Sequence, residues 1–201
     1  MNRFQLLLVL GLAACTAKKE NVNTTTAVDT AQAKAKPPAA IILKQTEPDT
    51  LKGSLNAVAT GKIGDAQINI SYHSPAVRGR IIWGGLVPYD KVWVTGAHMA
   101  TSIELSKDFL IGDTTVPAGK YALFSIPGKD EWIIIINKNW QQHLTDDYDQ
   151  KQDVVRVKVK PEAEQEVQER LRYEIESQGN NEGKIAIYWE KLEISLPLKL
   201  K

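Results

Sequence analysis

The residues best equipped for chemistry crowd into one stretch, residues 78–101, RGRIIWGGLVPYDKVWVTGAHMAT. Arg78 and Arg80 could bind an anionic or polar group, Trp83, Tyr89 and Trp93 offer flat apolar faces, and His98 adds a titratable donor, with the Thr95 hydroxyl among them. Aromatic faces with convergent polar groups would suit a sugar, a peptide or an envelope polymer. The same residues also read as structure: tryptophans filling a core, arginines pairing with nearby acids, and Gly84-Gly85 serving a bulge. Catalytic signatures are missing, with no G-x-S-x-G, H-E-x-x-H, P-loop or G-x-G-x-x-G. His98 beside Thr101 or Ser102, with a distant acid, is the single hydrolase candidate, and any chain this long permits such a triad on paper. The expectation is therefore a non-catalytic binding surface, with a hydrolase or a purely structural role as the alternatives.

A second cluster, Asp146-Asp147-Tyr148-Asp149 with Asp153, could supply oxygen ligands to Ca²⁺. It lacks the glycine and terminal glutamate of an EF-hand, and Lys151 interrupts it, so a solvated acidic loop is the plainer reading. Tyr148, Asp149 and Asp153 are kept as candidates for closing the first site. His73 and His143 read as strand and loop surface residues, since neither has a partner near it in the chain. No metal and no cofactor is expected.

Charge and cysteine usage narrow the partners. Lys and Arg total 25 against 24 Asp and Glu, with no basic block, which argues against nucleic acid. Residues 1–14 read as an export signal, with Arg3 at its start and an apolar run over residues 4–12 too short to span a bilayer. The signal ends Leu12-Ala13-Ala14-Cys15, which resembles the lipobox of bacterial lipoproteins, so Cys15, the one cysteine, is the expected lipidation site. The partners expected are then the membrane, through that lipid, and an unknown small molecule, glycan or envelope protein. Thr16 stands where some bacteria read an aspartate as an inner-membrane retention signal, which points to the outer membrane. Residues 15–54, rich in Ala, Thr, Lys and Pro, read as a disordered tether, and residues 55–201 as a single domain.

Within that domain the period is two. Ala66, Ile68, Ile70 and Tyr72 alternate with polar neighbours. Residues 80–83 and 91–95 read as short strands, and residues 131–137, with four consecutive isoleucines, as a strand covered on both faces. Residues 137–152 read as a long polar loop. In residues 162–176 the first half favours helix by propensity and the second half strand, with strand expected from about Val167. Asn180-Asn181-Glu182-Gly183 reads as a hairpin turn. The last strand changes phase near Glu190-Lys191, which implies a bulge or a crossing between sheets. Many short strands with Gly/Pro turns and little helix predict an all-β, two-sheet antiparallel sandwich, with a jelly roll as one version.

The segments RGRIIWGGLVPYDKVWVTGA, VPAGKYALFSIPGKDEW, NK and YDQKQDVVRVKVKP, in this order, resemble the domain of unknown function 2911 family of Gram-negative envelope and secreted proteins. The resemblance runs from Asp65 to Leu198 and implies an exported β-sandwich with no established activity, substrate or cofactor. Where the family pattern reads W-R-T-G-A-N-E-A-T, this chain has Val94, His98 and Met99 in place of the arginine, asparagine and glutamate. It keeps the frame of that segment and alters its polar lining.

Overall fold

In the computed structural model, residues 39–45 and 49–201 are described. The export signal, Cys15 and most of the tether lie outside them. Strands β1 (Leu55–Ile63), β2 (Ala66–Ser74), β3 (Ser102–Leu105), β6 (Gly119–Ile126), β7 (Trp132–Asn137) and β8 (Asp153–Val159) form one sheet, ordered β1-β2-β3-β6-β7-β8. Strands β4 (Phe109–Ile111), β5 (Thr114–Val116), β9 (Pro161–Gly179) and β10 (Glu182–Leu200) form the other, ordered β5-β4-β10-β9. Every pairing is antiparallel. The protein is a two-sheet β-sandwich, with one short 3-10 turn at Gln150–Gln152 among the described residues.

The alternation in β2 does what a half-buried strand must. Ala66, Ile68, Ile70 and Tyr72 enter the core between the sheets, and His73 turns to the other face. The isoleucine strand β7 is covered on both sides: Ile134 and Ile136 face the inter-sheet core, while Ile135 joins a second cluster with Val94, Ala100, Ala122 and Phe124 on the outer face. The β9–β10 hairpin turns at Asn180 and Asn181, both with positive φ (50° and 63°), the backbone that a two-residue turn of the I′ kind demands. The phase change is also where the sequence put it. Register shifts flank Glu190, whose φ is 56°.

Three expectations need correction. Residues 80–83 do not form a strand but a tight coil, in which Leu86 N–H donates to Ile81 O (3.0 Å) and Val87 N–H to Ile82 O (2.9 Å). Residues 91–95 make a single bridge, Trp93 with Ser125, because Thr95 leaves the extended region at φ 49°. The helix-prone residues 162–166 are strand from Pro161 onward, since pairing with β10 overrides local propensity.

One buried charge fastens residues 49–53 to this frame. Arg170, on β9, is 1% exposed. It is ion-paired with Asp49, and its guanidinium donates to Ser74 O (2.7 Å), Leu51 O (3.1 Å) and Gly53 O (3.3 Å). Burial holds its pKa below the ordinary arginine value. Nearby, Ala40 bridges β1 and Gln45 O accepts from Glu169 N–H (2.8 Å), so residues 40–45 run from one sheet edge to the other. Gln45, Asp49, Leu51 and Gly53, expected within the tether, are thus held by partners more than a hundred positions away, which composition cannot reveal.

Asp49→Ala leaves Arg170 buried without its counter-charge and is expected to cost about 3–5 kcal/mol. A urea-unfolding series measures it. A loss of less than about 1 kcal/mol, the range of exposed ion pairs, would mean that the pair does not hold this segment.

Candidate functional site

The stretch 78–101 crosses one end of the sandwich and folds onto the outer face of the six-stranded sheet. Its arginines are spent on backbone. Arg78 donates to Leu51 O and Gly53 O (3.4 Å), and its N–H donates to Glu169 Oε1 (2.8 Å). Arg80 donates to Val77 O (3.1 Å) and Ala76 O. Each guanidinium caps backbone carbonyls of segments outside the named strands, which is the structural use of an arginine fork.

The aromatic side chains meet one another. Trp83 and Trp93 come from the crossing stretch, Trp132 from β7 and Trp189 from β10. Trp83 packs edge-to-face on Trp132 (4.9 Å between ring centroids), Trp189 (5.6 Å) and Trp93 (5.9 Å), and Trp93 stacks on Trp189 at 5.7 Å. Trp132 and Trp189 are buried, whereas Trp83 and Trp93 are half-buried. The four indoles close the sandwich at this end, each edge-to-face pair contributing about 0.5–1.5 kcal/mol beyond its buried area. The Trp93 indole Nε1–H donates to Gly96 O (3.2 Å). Tyr89 lies against Gly84, whose φ of 78° suits glycine and where a Cβ would come within 2.9 Å of the Tyr89 ring.

Thr95 is the least relaxed residue of the stretch. A buried β-branched residue at φ 49° is a true backbone outlier, and it persists only where its surroundings over-determine it. Its carbonyl accepts from Tyr173 Oη–H of β9 (2.6 Å) and from Thr101 Oγ1–H (3.1 Å). Its hydroxyl meets Ser125 Oγ of β6 at 2.9 Å. Tyr173 packs edge-to-face on Tyr72 at 4.6 Å. Burial pushes the Tyr72 phenol up to about 12 and that of Tyr173 well above its ordinary value.

The second cluster serves the first. Tyr148 donates to Asp153 Oδ2 (2.8 Å), Arg156 Nε pairs with the same oxygen (2.9 Å), and buried Asn137 donates to Asp153 Oδ1 (2.7 Å). Burial, then the Asp153 carboxylate, raises the Tyr148 pKa. Asp149 caps the 3-10 turn by accepting from Lys151 N–H (2.9 Å). Tyr148 and Trp93 both pack against the outer cluster around Phe124. The two loops are joined directly: Leu144 N–H donates to His98 O (2.6 Å), Ala100 N–H to Gln142 O (3.0 Å), and Met99 bridges His143. Among the described residues no three His, Cys, Asp or Glu side chains are placed to hold one metal ion together.

The structure therefore brings together Trp83, Trp93 and Thr95, joins Tyr148 with Asp153 on the neighbouring loop, and sets Arg78 and Arg80 to work on the far side of the crossing. His98 is exposed, and its ring stands beside that of His73. Of the two hydroxyls weighed beside His98, Thr101 is fully buried and donates to Thr95 O, and Ser102 is also buried. Sequence reasoning missed Tyr173, Ser125, Trp132 and Trp189 as parts of this constellation. Their only signal was composition, because the hydrogen bonds that join Thr95 with Tyr173 and Ser125 span 78 and 30 positions.

Fold and site together define an all-β protein of two antiparallel sheets, closed at one end by an aromatic plug and two interlocked loops. The chain belongs to the DUF2911 family, described as a protein of unknown function, whose model matches residues 54–198. Neither the curated proteins nor the solved structures contain a significant match to the chain.

Buried tyrosines make the fold sensitive to base. Both phenols ionise more readily in the unfolded chain, near pH 10, so their stabilisation is complete below that pH and declines as pH rises through 10 toward 12. Tyr173→Phe is expected to flatten this decline and, by removing the bond to Thr95 O, to cost about 1 kcal/mol at neutral pH. Unfolding midpoints of both proteins across pH 7–11 read it; identical alkaline slopes would contradict it.

Proposed function

We propose that the protein is a lipid-anchored envelope protein whose sandwich is a non-catalytic binding module. Its contact face is the outer surface of the interlocked loops, around His98, Met99 and Leu144, and the ligand class is a glycan, small molecule or envelope protein. The observation that carries this reading is the backbone of these loops. Thr95, His98 and Leu144 all hold positive φ (49°, 60° and 48°) within one hydrogen-bonded unit, and strain concentrated in a loop pair supports a recognition role. Met99 and Leu144 add exposed apolar surface (45% and 38%) beside a polar imidazole, a mixture suited to recognition. The anchor is supported by the lipobox-like Leu12-Ala13-Ala14-Cys15, and several acyl chains at about 0.8 kcal/mol per buried methylene would retain the domain at a membrane.

Two experiments separate the halves of this proposal. Cys15→Ser expressed in a Gram-negative host is expected to move the protein from the membrane fraction to the soluble fraction and to abolish labelling by a radioactive fatty acid; unchanged fractionation and labelling refute the anchor. For the binding face, the wild-type protein and Met99→Asp are compared by calorimetry on a panel of envelope glycans and peptidoglycan fragments. Ligands that bind the wild type should lose affinity in the variant, and equal affinities throughout would place recognition elsewhere.

A further inference from the structure

Two imidazoles meet edge to face beside the interlocked loops. His73 is the next-to-last residue of β2, on the side of the strand opposite buried Tyr72, and His98 comes from the crossing stretch. Their ring centroids are 5.2 Å apart, with the planes at 76°. This closeness is built into the backbone. A Cβ at Gly96 would lie 2.8 Å from Thr101 Oγ1 and 3.2 Å from the His73 carbonyl oxygen, so glycine lets the crossing stretch lie directly over the end of β2. Two residues on, His98 is turned by its φ of 60° and fixed through its carbonyl to Leu144 N–H. The Cα positions are held while the His98 side chain stays exposed.

We propose that His73 and His98 form a two-imidazole site for a divalent transition-metal ion, Cu²⁺ above all. Two imidazole nitrogens about 2.0–2.1 Å from one ion, at square-planar to tetrahedral angles, place their ring centroids roughly 4.5–5.3 Å apart. The rings already stand at that separation. The final side-chain torsion of histidine is broad and two-fold, so exposed His98 can turn a ring nitrogen toward the ion at small cost. Imidazole ligation suits Cu²⁺, Ni²⁺ and Zn²⁺, and among these Cu²⁺ binds a given nitrogen site most tightly. Water completes the coordination, leaving positions open to exchange.

The test is a titration of the full chain, its one thiol alkylated, with Cu²⁺ alone and then Zn²⁺ alone, followed by calorimetry and by electron paramagnetic resonance of the copper form. The expected result is one Cu²⁺ site with hyperfine splitting from two nitrogens and weaker Zn²⁺ binding. His73→Ala and His98→Asn should each weaken Cu²⁺ binding about tenfold or more, while His143→Ala leaves it within about twofold. Asparagine tolerates the left-handed backbone at position 98, so loss in that variant reports the ligand and not the loop. Undiminished affinity in His98→Asn, a one-nitrogen spectrum in the wild type, or an equal loss in His143→Ala would overturn the proposal. The last result would assign the ion to His143 and Asp146, which lie 2.9 Å apart. Because the probe is the metal by itself, this outcome is independent of whether the loop face binds a glycan or protein.

Discussion

The hydrogen bonds at Thr95 are the constraint on which the loop end of this protein depends. One residue in a costly backbone conformation is tied to the four-stranded sheet through Tyr173 and to the six-stranded sheet through Ser125. Remove those ties and the turn after Trp93 loses its direct side-chain bonds to both sheets. The indole stack on Trp189, the contact of Gly96 with the end of β2 and the position of His98 all follow from that turn. A bond spanning the two layers of a sandwich converts an irregular segment into part of its frame.

This changes what the aromatic and cationic residues of the stretch mean. Sequence alone leaves them open as ligand platform or packing. In the folded protein the arginines serve carbonyls of neighbouring turns, and the indoles serve one another. Among the groups turned to solvent are the His98 imidazole, with part-buried His73 of β2 beside it, and Met99 and Leu144 on two loops that hold each other. The recognition proposed for this face would rest on two loops fixed to each other by backbone hydrogen bonds.

The parts legible in the sequence were those governed by local periodicity. The alternation of β2, the Asn180-Asn181 turn and the phase change at Glu190 are each set by neighbours a few positions away, and the sandwich follows from them. The helix-prone start of β9 misled because propensity is weaker than a partner strand. Arg170 with Asp49, Tyr173 with Thr95 and His73 with His98 could not be read at all. Their partners are distant in the chain, and each member alone is an ordinary residue of its type. Residues flagged for chemistry by type were thus found mostly in structural roles, and a histidine set aside for want of a neighbour acquired one through the fold.

The irregular stretch 78–101 should be as firmly held as the strands it crosses, which native-state hydrogen exchange can read at the Trp93 amide. The Trp93 amide donates to Ser125 O at 2.7 Å. It is expected to exchange with an opening free energy within about 1 kcal/mol of the β6 amides around Leu123, as one cooperative unit. Exchange of Trp93 at the rate of an exposed loop, while β6 stays protected, would mean that the stretch is not part of the frame.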